Sequence, residues 1–289
     1  MQLSFWKLHG CGNDYLYFDI RHRDPGLNWP AVARQLCDRH FGVGADGIIL
    51  IGPSASHDAR MHIYNSDGSR SEMCGNGLRA MAKWLFDRQY AGVRQAIETD
   101  AGTLYPEIVR AQSGKAVQIR VNMGPPRFAR CAVSSLWDDE TPWLEAPLTV
   151  SDREFTVSLV SMGNPHLMIF GPLWDVQTMA EWGPKLEHHP WFPARINVHS
   201  VEVKSRQAMA MRHWERGAGL TLACGTGVAA ATAAAIRLGL VTSPVQVTVP
   251  GGLLEAEWNG TDRDPVYLTG PAEEVFSGTV EWDDNQAGD

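Results

Sequence analysis

Residues 71–86 read SEMCGNGLRAMAKWLF, with Cys74 standing directly before a Gly-Asn-Gly step. Leu78, Met81, Ala82, Leu85 and Gln89 follow at helical spacing, so the stretch predicts an amphipathic helix over roughly 75–88. Residues 220–236, LTLACGTGVAAATAAAI, repeat the device around Cys224, and the two cores differ only at Asn76 and Thr226. With the cysteines superposed, Leu78 falls on Val228, Met81 on Ala231, Leu85 on Ala235 and Phe86 on Ile236. The same apolar stripe therefore occurs twice, which predicts an internal duplication. Each half is expected to wrap strands around one central helix, the smaller residues of the second allowing closer packing.

Strand signals surround both helices. LSFWKLHG and DYLYFDI flank a glycine turn, and GIILI reads as a buried strand. ARMHIYNSDGSR ends in an Asp-Gly turn, and QAIETDAGTLYPEIV and AVQIRVNMG alternate as paired strands. A short helix capped by Asn28 lies between the first strands. In the second half, EFTVSLVSMGNPHLMIF, RINVHSVEV and AMAMRHWE read as strands, with a tryptophan-rich helix near 176–187. VQVTVPGGLLEAEW is a hairpin with a Gly-Gly turn, and PVYLTGPAEEVFSGTVEW adds the final strands. Gly12-Asn13 matches Gly163-Asn164 only loosely. The two prolines of MGPPRF, at 125 and 126, mark a domain junction.

Composition narrows the function classes. A chain of 289 residues accommodates two domains of ordinary size. Its 44% hydrophobic content with 28 glycines and 17 prolines reads as globular and turn-rich. A net charge of -8 without any basic block argues against a nucleic-acid partner. The most apolar run, Val228–Ile236, is too short for a membrane span, and the first twenty residues lack the pattern of a signal peptide. Five cysteines without a CxxC pair suit a reducing, cytoplasmic setting. Cys37 and Cys131 are expected to be buried small hydrophobes, and Cys11 to line a cavity without acting.

A cysteine at a helix start is placed for chemistry. Helix N-termini present N–H groups without intrahelical acceptors and a positive dipole end, which favours thiolate and lowers the thiol pKa. The same N–H groups can hold a carboxylate, and the glycines let a ligand approach closely. Two such half-sites support either a redox disulfide or an acid and a base on opposite faces of one carbon. Epimerisation explains the duplication better, because one face must lose a proton while the other gains one.

Several separated motifs carry a resemblance: GCGNDY, RHFGVGADG, YNSDGSRSEMCGNGLR, MGNPH, RINV and WERGAGLTLACGTG. In this order they resemble the diaminopimelate epimerase family of PLP-independent amino-acid epimerases, from Lys7 through the last strands. The resemblance implies an α/β (α+β) fold of two pseudo-symmetric domains, each with mostly antiparallel strands around a central helix. Its domains are expected at 1–124, completed by the last strands at about 267–289, and at 125–266. It implies Cys74 and Cys224 as catalytic, supported by His166 and Glu215. Asn13, Asn65, Asn164 and Asn197 are implied as substrate-binding amides, with Gly47 beside them and Glu215 and Arg216 at the ends of the zwitterion. Gly75, Asn76, Gly225 and Thr226 would offer donors to the carboxylates. No cofactor, no metal and a homodimer acting on a small amino acid are further implications. The chain departs from the family's common residues at Cys11, Gly47, His213-Trp214 and Leu220. A related racemase of another amino acid, histidine for example, and a non-catalytic amino-acid-binding module are the alternatives.

Two other signals lead elsewhere and are set aside. Gly42, Gly44 and Gly47 spell G-x-G-x-x-G, but a helix end precedes them and a strand follows, the reverse of a dinucleotide site. The ten histidines show no ligand spacing, and Glu187-His188-His189-Pro190 reads as an exposed cluster.

Overall fold

The computed structural model describes residues 1–134 and 136–283. Two compact units divide it: Met1–Val121 with the segment from Gly270 onward, and Asn122–Thr269. No helix among the described residues is long and apolar enough to cross a membrane.

The first unit begins with strands β1 (Gln2–Gly10) and β2 (Asn13–Asp19), paired antiparallel through a two-residue turn. Cys11 and Gly12 have φ of 53° and 83°, the left-handed pair that a hairpin of this hand requires. Helix α1 (Trp29–Leu36) follows, its Asn28 cap accepting the Ala31 N–H. Then come β3 (Gly47–Gly52), β4 (Ala59–Asn65), β5 (Arg70–Ser71) and helix α2 (Gly75–Asp87). β6 (Ile97–Thr99), β7 (Gly102–Leu104) and the antiparallel pair β8 (Glu107–Gln112) and β9 (Lys115–Asn122) complete the run. Leu3, Phe5, Phe18, Trp29, Val32 and Leu50 close a core on the α1 side, whereas α2 packs against β1 and β2.

The second unit contains β10 (Ala146–Val150), β11 (Arg153–Ser161), β12 (Pro165–Phe170) and helix α3 (Val176–Glu187). β13 (Asn197–Ser205), β14 (Ala208–Glu215), β15 (Gly219–Thr221) and helix α4 (Gly225–Arg237) follow. β16 (Val245–Val249), β17 (Gly252–Glu257) and β18 (Tyr267–Gly270) come last. Leu148, Phe155, Leu167, Leu186 and Val198 form its core, rimmed by Trp137, Trp143, Trp182 and Trp191. The chain then returns to the first unit as β19 (Glu273–Glu281), which pairs antiparallel with β1.

The two units trace one topology. β1-β2-β3-β4 pair antiparallel, parallel, antiparallel, and β11-β12-β13-β14 do the same. β5 and β15 fold back on the fourth strand, the cysteine helix follows, and β6 and β16 return parallel to that strand. The registers agree residue by residue. Tyr15 faces Gly47 as His166 faces Asn197, and Ile49 faces Ile63 as His199 faces His213. Gly12-Asn13 and Gly163-Asn164 both lead into the second strand of this set, with φ of 83° and 94° at the glycines. Their correspondence is therefore closer than the sequence implies, because different turn lengths hide it.

The cysteine helices depart from the amphipathic expectation. Every residue of α2 from Gly75 to Leu85 is buried, including Arg79 and Lys83. Lys83 Nζ lies 2.7 Å from the Ala116 carbonyl and 2.8 Å from Asp87, so its charge is buried together with partners. Gln89 is not on the stripe. It lies beyond the helix end with φ of 60° and is exposed. α4 is buried along Gly227–Ala235, where small side chains allow close approach of its neighbours. Cys131 is exposed rather than buried, since it sits in a short 3-10 turn with no buried residue. Glu187 is 3% exposed, contrary to the reading of its segment as a surface cluster.

Two candidate half-sites

In the first unit, the turn after β5 delivers Cys74 as the N-cap of α2, where its sulfur accepts the Gly77 N–H at 3.4 Å. The Tyr15 hydroxyl, on β2, donates to the same sulfur at 3.5 Å. Asn13 Oδ1 lies 3.4 Å from Sγ and accepts its proton when the sulfur carries one. That oxygen also accepts from Asn76 Nδ2 at 3.2 Å, while Asn13 Nδ2 donates to Asp46 at 2.7 Å. Asp46 in turn meets Arg39 at 2.8 Å. Asn13 is thus oriented from both ends. Below it, the buried Arg79 donates to Asn76 Oδ1 at 2.7 Å, which fixes that amide too.

Gly47 and Asn65 sit at the ends of neighbouring strands, paired in register. A Cβ at Gly47 would fall 2.4 Å from the Tyr64 carbonyl and 2.9 Å from the Tyr15 ring. Packing therefore accounts for that glycine, which leaves room for the Tyr15 ring whose hydroxyl reaches Cys74. The Asn65 amide donates to Ser69 Oγ at 2.9 Å within its own turn. Burial holds the Tyr15 hydroxyl protonated well above the usual tyrosine range, with Cys74 adding to the effect. Burial also raises the Cys11 thiol.

In the second unit, Cys224 caps α4 from the turn after β15. It is 3% exposed. Burial pushes its thiol well up, and the neighbouring Glu215 carboxylate pushes in the same direction. Thr226 and the Gly227 N–H act oppositely and lose. The expectation of a lowered thiol pKa thus fails at Cys224: loss of hydration and a nearby anion outweigh the helix terminus. Thr226 Oγ1 lies 3.7 Å from Sγ and accepts from Asn164 Nδ2 at 3.3 Å. This Asn164–Thr226 link is the counterpart of Asn13–Asn76 in the other unit.

Three buried histidines stand behind Asn164. Its Oδ1 is 2.9 Å from His166 Nε2, and His166 Nδ1 is 2.9 Å from His199 Nε2. His199 Nδ1 is 3.0 Å from His213 Nδ1. Burial drives all three basicities down, to about 3 for His166 and His213, so the rings are neutral at neutral pH. His199 and His213 are absent from the sequence-derived site, although period-two spacing puts them on one strand face with Asn197 and Glu215. Ligand atoms of His166, His199 and Cys224 lie within 4.8 Å of one another, a set that could hold a soft divalent ion. Both nitrogens of His166 and His199 are already engaged in the file, so an ion would have to break it.

The remaining implied residues shape the loop after β14. Asn197 Nδ2 donates to the Pro165 carbonyl at 2.9 Å, and its Oδ1 accepts the Arg216 N–H at 3.0 Å. Arg216 Nη1 reaches the Ala194 carbonyl at 3.0 Å. Glu187, expected at the surface, accepts from Trp214 Nε1 at 2.7 Å and from the Gly217 N–H at 2.9 Å. Its buried carboxylate holds the loop that carries Glu215 and Arg216.

The two Gly-x-Gly steps invite a direct comparison. A Cβ at Gly77 would meet Ile49 Cδ1 at 2.5 Å, and one at Gly227 would meet His199 Cε1 at the same distance. Ile49 ends in a flexible chain that can turn away, whereas His199 is pinned at both nitrogens. Gly227→Ala is therefore expected to lose about 1–3 kcal/mol of stability, and Gly77→Ala less than about 1 kcal/mol. Urea unfolding of both variants checks this; equal losses would refute the pinning of His199.

Comparison with known proteins identifies the fold and the family. The fold is shared with a crystal structure of a probable proline racemase from Agrobacterium radiobacter K84, at a TM-score of 0.70 and 17% identity over 97% of this chain and 93% of that one. The family model described as diaminopimelate epimerase matches residues 5–129 and 158–275. The diaminopimelate epimerase of Halothermothrix orenii is 43% identical over 97% of this chain and 98% of its own length. That of Thermosynechococcus vestitus is 44% identical over 97% of this chain and 100% of its own. The chain belongs to the diaminopimelate epimerase family.

Proposed function

We propose that this protein inverts one α carbon of ll-2,6-diaminopimelate to give the meso isomer, using Cys74 and Cys224 as an acid–base pair and no cofactor. The observation that carries this reading is the duplicated half-site, a cysteine at a helix N-terminus backed by an oriented asparagine, in a member of this family. The N–H groups of the first turns of α2 and α4 receive the substrate carboxylate, as helix termini do for anions. An α proton beside an ammonium and a carboxylate is a very weak acid, so its removal needs oriented donors and exclusion of water.

The two sulfurs sit in different surroundings. Cys74 collects the Tyr15 hydroxyl and the Gly77 N–H, both of which favour thiolate. Cys224, beside Glu215, keeps its proton. Cys74 therefore takes the α proton from one face while Cys224 delivers its own to the other. Glu215 then faces a Cys224 thiolate; this exchanged form runs the reverse reaction, and proton exchange with solvent restores the starting form for the next ll substrate. The homodimer and the cytoplasmic location belong to the same proposal. Five free thiols suit a reducing compartment, and equilibrium sedimentation decides the assembly.

The test is an assay of the reduced, purified protein on ll-diaminopimelate beside histidine and proline, with stereoisomers resolved by chiral chromatography. Conversion of diaminopimelate alone is expected. Turnover of another amino acid in its place, or binding without turnover, would reject the assignment.

A further inference from the structure

The three buried histidines are not required by the fold. In the first unit the positions equivalent to His166, His199 and His213 are Tyr15, Ile49 and Ile63, on the same strands and in the same register. Ile49 and Ile63 are buried to the same degree as the histidines. An apolar pair thus satisfies this packing, and the second unit instead buries a polar file, which needs every proton placed to be tolerated.

The protons can be assigned from the ends of the file. Each neutral imidazole has one N–H and one lone pair, so the direction of any one bond sets all the others. His213 Nε2, at the inner end, is buried and has no partner among the described residues. A bare lone pair there is tolerated better than an orphaned N–H. His213 therefore carries its proton on Nδ1 and donates to His199 Nδ1. His199 Nε2–H then donates to His166 Nδ1, and His166 Nε2–H donates to Asn164 Oδ1. This turns Asn164 Nδ2 toward Thr226, whose oxygen accepts, leaving the hydroxyl proton to point at Cys224 Sγ. The opposite polarity would flip the Asn164 amide, draw the threonine proton away from the sulfur and bury an unpaired N–H.

We propose that His199 and His213 are positioning residues that hold His166 as the Nε2–H tautomer and, through Asn164, aim the Thr226 hydroxyl at the Cys224 sulfur. Its importance for turnover rests on the reading of Cys224 as an acid–base group. The proton placement does not, and is measurable on the protein without substrate.

The experiment is nitrogen NMR of the full chain labelled with ¹⁵N-histidine, which separates protonated from bare ring nitrogens, with resonances assigned by single substitutions. His166 and His199 are expected protonated on Nε2 and His213 on Nδ1. His166 protonated on Nδ1 would overturn the proposal. His199→Gln keeps a donor at the Nε2 position, whereas His199→Leu removes it. The leucine variant is expected to show mixed His166 tautomers and about a tenfold lower kcat with KM little changed; the glutamine variant restores both. A leucine variant with mixed tautomers and undiminished kcat would refute the link to Cys224. If that variant does not fold, the wild-type tautomers and the glutamine variant still decide the matter. Failure to turn over diaminopimelate would leave the tautomer result intact, so the two proposals fail separately.

Discussion

Cys74→Ala and Cys224→Ala are each expected to reduce kcat for diaminopimelate epimerisation by at least about 10³-fold, within the range that a positioned acid or base supplies. Two-base inversion has no detour: one face must accept a proton and the other must give one, so loss of either sulfur stops the reaction. The folds should survive. Cys74 is half-buried, and its cap bond to Gly77 at 3.4 Å is a weak one. Cys224 is more enclosed, and alanine there leaves only a sulfur-sized space. Cys131→Ala, at an exposed turn, serves as the silent control. Chiral chromatography of timed reactions checks all three. Retention of more than a tenth of wild-type kcat by either active-site variant would remove that cysteine from the chemistry.

Acid sensitivity between pH 6.5 and 4 is the second large effect. His166 and His213 are held at about 3 in the folded protein, and His199 well below its usual value, all first by burial. Neighbouring histidines add to the effect at His166 and His199, with Arg216 near His166 and Arg212 near His213. In the unfolded chain the same side chains titrate near 6.5. As pH falls through 6.5 the unfolded state gains protons that the folded state refuses, so stability present above 6.5 is lost progressively. His166 and His213 each contribute about 1.4 kcal/mol per pH unit, or roughly 2 kcal/mol by pH 5. The two together remove about 4 kcal/mol and His199 adds to it in the same direction, a loss comparable with the whole stability of many domains. His62 and His189, also lowered by burial, act in the same direction. Carboxylates held low, such as Asp14 and Asp19, lose their contribution only below about pH 4, outside this window.

Urea unfolding at pH 7.5 and 5.0 measures the slope. The internal comparison supplies the control, because Ile49 and Ile63 occupy the matching positions in the first unit. His199→Ile combined with His213→Ile should flatten the slope by about two protons. An unchanged slope would mean that these rings are not neutral in the folded protein.

What the sequence made legible follows the range of each signal. The cysteine helices, their glycine starts and the strand runs are local patterns, and each stands within a residue or so of its expected place. The repeat was visible through the helices because both carry the same stripe. It was obscured at Gly12-Asn13 and Gly163-Asn164 because turn lengths differ while topology does not. Nothing in the sequence marks Arg79 and Lys83 as buried, and their partners are Asn76, Ala116 and Asp87. The histidine file was invisible for another reason. It exists only when β12, β13 and β14 are set in register, which joins residues far apart in sequence. Glu187 was placed at the surface because its partners, Trp214 on β14 and Gly217 in the turn after it, are distant in sequence. The thiol of Cys224 was misjudged because helix termini are legible locally, whereas burial and Glu215 are not.

The central claim is that two groups on opposite faces handle the α proton. Its most direct test is ll-diaminopimelate incubated with the enzyme in heavy water and sampled early, with deuterium at the α carbon read by mass spectrometry in substrate and product separately. The meso product should carry solvent deuterium from the first turnovers while recovered ll substrate remains protiated. Deuterium entering both pools equally from the start, or product that keeps the original hydrogen, would contradict the two-thiol account.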